Sequence, residues 1–220
     1  MARVESPVGA SRSPLSIAAS VWAWAGYAFL ILPSLIVIPL SFGDRNELIF
    51  PPSSLSLFQY EKYFFQSNWM AATWMSVRIA FATAALSLLI GVPAAYGLVR
   101  AEFPGKKLVT LFLLSPVLIP VIVVALGLYL YFAAIGLLAG DVPLILGHTL
   151  VATPFVIVTA MAGLRHVDQN LEAAGTIMGA GRLLVFRRIT LPLLRPAIVA
   201  CALFAFLISF DEVVIAYFIS

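Results

Sequence analysis

Residues 164–195 read LRHVDQNLEAAGTIMGAGRLLVFRRITLPLLR, the one long polar interruption between two stretches apolar enough to cross a bilayer. The segment carries five of the thirteen basic residues, Arg165, Arg182, Arg187, Arg188 and Arg195, with Asp168 and Glu172 near its start. A membrane chain that gathers its charge in one such loop is expected to present it to something in the cytoplasm.

The flanks decide that the chain is a membrane protein. Of 220 residues, 62% are hydrophobic and only 10% charged, with a mean hydropathy of +1.06. A soluble domain carries about a quarter charged residues. So apolar a chain has too little polar surface to cover a water-soluble globule. No nucleic-acid partner is expected; the lipid bilayer is. The single cysteine, Cys201, lies in an apolar run and forms no internal disulfide.

Charge-free runs give the spans. They extend over Ser13–Gly43, Ile79–Val99, Leu108–Gly140, Val142–Leu164 and Pro196–Phe210. A hydrocarbon core takes about 20 residues of helix. The first four runs suffice, and the fifth does once Asp211 and Glu212 are taken inside it. The expectation is an all-α, polytopic transmembrane bundle with five spans near 21–42, 78–99, 109–132, 143–163 and 196–219. A tail at 1–20 precedes the first span, and the loop 164–195 lies between the last two. The first run far exceeds the apolar core of a signal peptide, and Ser41-Phe42-Gly43-Asp44 offers no small-x-small cleavage site.

Lysine and arginine set the orientation. With the N-terminus inside, the inner side holds Arg3, Arg12, Arg100, Lys106, Lys107 and the five arginines of the loop. The outer side holds Arg45, Lys62 and Arg78. Ten against three places the N-terminus and the 164–195 loop in the cytoplasm. The outer segment 43–77 opens on Pro51-Pro52 and serines, then clusters Phe58, Tyr60, Tyr63, Phe64, Phe65 and Trp69. That cluster reads as an interfacial anchor or as a docking surface for an extracytoplasmic partner. Prolines inside the spans (Pro33, Pro39, Pro93, Pro116, Pro120, Pro154) predict kinks.

Within the loop, a short helix is expected from Asp168 or Asn170, with either residue as its cap and Glu172 in the first turn. Gly179–Gly181 end it. Thr190-Leu191-Pro192 and Pro196 turn the chain back into the membrane. Asp211 and Glu212 form the one adjacent charge pair expected inside a span, roughly 22 Å beyond Pro196 at 1.5 Å per residue. Carboxylates at that depth face a water-filled path or a partner, or else sit near the outer interface, or pair with Arg78, and do not touch substrate. An intramembrane enzyme would need paired catalytic groups, and only this pair qualifies. His148 reads as a hydrogen-bonded packing residue. No cluster has metal-ligand spacing, so no metal site is expected. Gly105-Lys106-Lys107 lacks the rest of a phosphate-binding loop.

The stretch LEAAGTIMGAGRLLVFRRITLPLLRPAI resembles the cytoplasmic signature of inner-membrane permease subunits of bacterial ABC importers. Gly179 and Ala180, then Arg187, Arg188, Leu191 and Pro192, fall where that pattern places them. Counted back from Gly179, its Glu-Ala-Ala register lands on Ala173, Ala174 and Gly175. The literal glutamate, Glu172, stands one position earlier, rotated by about 100° around the helix. Arg100–Lys107 is similar to the family's first cytoplasmic turn and His148–Phe155 to its fourth-span pattern. Ser209-Phe-Asp-Glu-Val213 is similar to the subgroup that carries spermidine and putrescine.

The resemblance implies a non-enzymatic permease of the bacterial inner membrane that couples through Glu172, Ala173, Ala174, Gly175, Gly179, Ala180, Arg187, Arg188, Leu191 and Pro192 to cytoplasmic ABC ATPase subunits. It also implies a second permease subunit and an extracytoplasmic substrate-binding protein; Asp211 and Glu212, from their depth and charge, are expected beside a passing polycation. ATP is bound by the ATPase partner, with no cofactor in this chain. Iron, sulfate or another small solute are the alternative cargoes to a polyamine. The family has a sixth span, so a chain shortened at its C-terminus is expected.

Overall fold

The computed structural model describes residues 14–44 and 49–219. Arg3, Arg12, Arg45 and most of the expected 1–20 tail lie outside the described residues. Every regular element among the described residues is helical, apart from one isolated antiparallel bridge, Gly43–Leu55. Two compact units meet in sequence at Met70/Ala71.

In the first unit, α1 (Pro14–Ser41) starts ahead of the expected residue 21 and keeps Pro33 and Pro39 inside it. No described side chain from Ala18 to Ser41 is buried, which suits an apolar helix facing lipid or a partner. The chain then folds back on itself, Ser56 N–H donating to Phe42 C=O at 2.7 Å. In α2 (Phe58–Glu61), which runs on as a π-helix through Gln66, Tyr60 meets the Ser41 hydroxyl at 2.8 Å and the Phe42 ring at 5.5 Å. The aromatic segment is therefore pinned to the end of α1.

The second unit is the bundle. Its long helices are α3 (Trp69–Arg100) and α6 (Asp141–Arg165). Both pass the length and hydropathy needed to cross a membrane, as does Ala18–Ser41 of α1. Arg78 pairs with Asp141 at 2.7 Å, and Arg100 reaches the Leu164 and Val167 carbonyls at 3.3 and 3.0 Å. Contacts that advance together along both helices mean α3 and α6 run in the same direction. The segment between them must carry the chain back. It does so as α4 (Lys106–Leu114) and α5 (Val121–Ala134), bent by 95° across residues 115–120.

This bend corrects the single helix expected over 109–132. Pro116 and Pro120 each remove a backbone donor, and Pro120 (ψ 129) leaves the helical region. The chain closes only a short 3₁₀ turn, Leu118 N–H to Ser115 C=O, before restarting. The crook holds an apolar groove of about 660 Å³ lined by Ile90, Phe112, Pro116, Val124 and Leu146 among others.

The core seam joins α6 to α10 (Arg195–Asp211). Contacts here run oppositely: Gly163 lies against Ala197, Cys201 Sγ reaches Val156 C=O, and His148 Nδ1 meets Ser209 Oγ at 2.8 Å. Ala152, Ala160 and Ala205 are fully buried along the seam. Small residues let the two backbones approach closely, the usual means of association where lipid supplies no hydrophobic drive between helices. Gly91 brings α3 to the same seam, since a Cβ there would stand 2.6 Å from Val156 Cγ1.

The fifth span is also corrected. The helix expected over 196–219 stops at Asp211, and Glu212 is extended (φ −80°, ψ 101°). A second helix, α11 (Val214–Ile219), then packs on α5 and α6, with Ile215 and Ile219 buried. Counting each bent helix pair, α4 with α5 and the loop's re-entering segment with α10, as one span gives up to five spans in all.

Two glycines separate packing from propensity. A Cβ at Gly163 would collide with Ala197 Cβ and stand 3.0 Å from Leu194 Cδ1, whereas nothing lies within 4 Å of one at Gly97. Gly163→Leu should destabilise by about 1–3 kcal/mol through overpacking. Gly97→Ala should be neutral or stabilise by up to about 1 kcal/mol. Thermal unfolding in detergent compares them, and an equal response would contradict the seam.

Candidate functional site

The polar loop builds a compact assembly at one end of the bundle. Asp168 is the cap: its Oδ1 accepts the Asn170 N–H at 2.9 Å, opening α7 (Gln169–Ile177). Of the two caps the sequence allowed, Asp168 is used. The helix closes with Gly179 at φ +88°. Gly179 N–H donates to Thr176 C=O and Ala180 N–H to Gly175 C=O, at 3.0 and 3.1 Å. This bond pair is the Schellman motif, which needs a left-handed residue where glycine stands.

The chain re-enters through α8 (Arg182–Val185), a π-helical turn over Phe186–Thr190, and α9 (Leu191–Leu193). That run meets α10 at 77°. Pro192 and Pro196 occupy first-turn positions, where a missing N–H costs little. Gly175 is the contact between the loop's halves. It is buried, and a Cβ on it would lie 2.6 Å from Ile189 Cδ1 and 3.3 Å from Val185 Cγ2.

Glu172 ties this assembly together. Arg100 Nε donates to its Oε2 at 3.0 Å, and a terminal guanidinium nitrogen to its Oε1 at 3.3 Å. The Thr190 hydroxyl donates to Oε1 at 2.8 Å. The same guanidinium donates to the Leu164 carbonyl in the last turn of α6, which also accepts the Val167 N–H, and to the Val167 carbonyl just beyond that helix. Both charged side chains are only 12% exposed, and Thr190 is fully buried. Cation and carboxylate thus join the end of α3, the end of α6, α7 and the re-entering segment. Beside them, the Tyr96 and Phe186 rings pack at 4.8 Å. A polar cleft of about 500 Å³ opens next to the pair, lined by Gly97, Glu102, Gln169, Thr176 and Arg182 among others.

The expected coupling residues sort by environment. Ala173, Ala174, Gly179, Arg187 and Arg188 are exposed, Ala180, Leu191 and Pro192 half-buried, and Gly175 buried. Glu172 is turned inward. The sequence missed its partner because Arg100 stands 72 residues away; the one signal was a charged residue ending an apolar span opposite an acid out of register. The sequence also missed an apolar ridge: Ile177, Met178 and Leu183 are 87%, 80% and 70% exposed.

Asp211 and Glu212 lie at the far end of α10. They border a hollow of about 470 Å³ with Leu207, Ile208 and Phe210. Asp211 is exposed, while Glu212 Oε1 accepts the Val214 and Ile215 N–H groups at 2.9 and 3.0 Å and so caps α11. Arg78 pairs with Asp141 rather than with either of them, which corrects the pairing alternative. His148 is buried against Ser209 as a packing residue.

Arg100→Ala would leave the enclosed Glu172 carboxylate without its counter-charge, at a cost of about 3–5 kcal/mol. Arg78→Ala breaks a pair whose side chains are 53% and 36% exposed, at a cost below about 1 kcal/mol. Denaturant unfolding of the two variants in one detergent measures the difference. Equal costs would contradict the ranking.

Comparison with known proteins matches the chain to one family. The family described as "Binding-protein-dependent transport system inner membrane component" matches residues 87–220. The spermidine/putrescine transport system permease protein PotC of Haemophilus influenzae is 35% identical over 195 residues, covering 88% of this chain and 75% of that protein. The putrescine transport system permease protein PotI of Escherichia coli is 33% identical over 202 residues, covering 89% and 72%. The trehalose transport system permease protein SugB of Mycobacterium tuberculosis is 31% identical over 194 residues, covering 87% and 70%. Among solved structures, a bacterial ABC transporter that imports the acidic polysaccharide alginate superposes with a TM-score of 0.68 at 15% identity, covering 92% of this chain and 73% of that one; it shares the fold. The chain belongs to the inner-membrane permease components of binding-protein-dependent ABC importers.

Proposed function

We propose that this permease carries polyamines, forming half of the pathway with a second permease subunit. The observation that carries the reading is the likeness, at 35% and 33% identity, to permeases named for spermidine and putrescine. The carboxylates at the end of α10 support it. Asp211 is exposed at the hollow, where a carboxylate attracts a passing polycation. Glu212 spends one oxygen on α11 and leaves the other for solute.

The N-terminus and the loop lie in the cytoplasm, and the Arg78–Asp141 end lies outside, where an extracytoplasmic binding protein delivers solute. This orientation follows the ten-to-three distribution of lysine and arginine. At the cytoplasmic end, α7 is the coupling helix. Its exposed Ala173 and Ile177, with Met178 just beyond its end, give an apolar contact for the ATPase, and Arg182, Arg187 and Arg188 stand exposed nearby to pair with acidic groups. ATP is bound and hydrolysed by the partner.

A second cargo has one observation behind it, the 31% identity to a trehalose permease. Uptake by the assembled transporter separates the two. Labelled putrescine should enter, and Asp211→Asn should reduce its uptake about tenfold, the effect of roughly 1.4 kcal/mol. Trehalose uptake with no putrescine uptake would contradict the polyamine reading. Ile177→Glu should abolish co-purification of the ATPase while leaving the permease monodisperse; retained binding would remove the ridge from the interface.

A further inference from the structure

We infer that Arg100, Glu172 and Thr190 are positioning residues that clamp the coupling helix to the bundle, so that force on α7 reaches α3, α6 and α10 together. The inference rests on the coupling role of α7 proposed above and adds how its motion is transmitted.

The Glu172 carboxylate is not displayed to a partner. In the family register the glutamate position falls on Ala173, an exposed methyl group, whereas Glu172 faces inward to three hydrogen bonds. Arg100 grips α7 on both sides of its hinge. It holds the Leu164 and Val167 carbonyls just before the helix and Glu172 within the first turn. A rotation of α7 about residues 165–168 would break the Glu172 bonds, while Leu164 stays with α6 and keeps Arg100 in place.

Besides this cluster, α7 is held by its packing on the re-entering segment. The Asp168 cap is internal to the segment. Gly175 contributes close apolar contact with Ile189 and Val185, which carries no hydrogen bond or charge. The neighbouring cleft of about 500 Å³ leaves room for a released helix to swing. Planar, two-pronged recognition by arginine fixes direction as well as distance, so the cluster transmits torque. The Thr190 hydroxyl extends the same hold to the segment that becomes α10.

The test uses the full transporter in liposomes with a putrescine-loaded binding protein. Glu172→Gln keeps the shape and removes the charge. It should leave the ATPase subunits bound at wild-type stoichiometry, with basal hydrolysis and the KM for ATP unchanged. Hydrolysis stimulated by the binding protein, and uptake, should each fall about tenfold, equivalent to roughly 1.4 kcal/mol of lost coupling. Thr190→Val should show the same split more weakly, and Thr190→Ser should restore it.

Wild-type coupling in Glu172→Gln would overturn the clamp. Loss of the ATPase from an otherwise folded, monodisperse permease would also overturn it, by placing Glu172 at the partner interface. If Glu172→Gln does not fold, the Thr190 pair decides: identical coupling in Thr190→Val and Thr190→Ser is the contrary result. A wild-type complex that never binds or stimulates an ATPase would instead sink the coupling role of α7 itself.

Discussion

The ion pair between Arg100 and Glu172 is the interaction on which the working end of this bundle depends. Two charges that are only 12% exposed are tolerable because every major demand is met. The carboxylate accepts from Arg100 and Thr190, and the guanidinium also donates to the Leu164 carbonyl of α6 and the Val167 carbonyl just beyond it. Both partners sit where chain geometry forces an ending. Arg100 closes α3, and Glu172 opens the helix that follows α6. Because α3 and α6 run in parallel, their ends arrive together, and one arginine serves both.

The seam between α6 and α10 turns that local assembly into a property of the whole unit. Gly163 and Ala197 set the close approach near the loop, and His148 with Ser209 continues it toward the far end. Along α10, 17 residues separate the re-entering loop from Asp211, about 25 Å at 1.5 Å per residue. Thr190 lies in the re-entering segment, which meets α10 at 77°, and α10 reaches from there to the hollow beside Asp211 and Glu212. The break at Glu212 frees α11 from the same axis and lets it pack against α5 instead.

Much of this was legible in the sequence, because spans and helix caps are local. Charge-free runs located α6 to within two residues at each end and the end of α3 to within one. But α3 begins at Trp69, nine residues before the expected 78, because Arg78 interrupts the charge-free run. The glycine at 179 marked the end of α7. The bend of α4 on α5 was legible only as a kink. Pro116 and Pro120 announce a break, but the 95° angle depends on which neighbours re-satisfy the freed groups. The stop at Asp211 was hidden by an apolar continuation, Val213 to Ile219, whose pattern does not reveal that Glu212 would cap it. Glu172 was the deepest case. Its one-residue displacement from the family register looked like a defect along the chain, and only the fold brings Arg100, 72 positions earlier, to meet it. The register that fails for a partner-facing glutamate succeeds for an inward one.

The most direct measurement is amide hydrogen exchange over residues 169–180 in the wild-type permease and in Glu172→Gln. If the ion pair holds α7 on the bundle, protection across this segment falls in the variant while α6 and α10 keep theirs. Unchanged protection in 169–180 would contradict the account, because α7 would then be held by something other than Glu172.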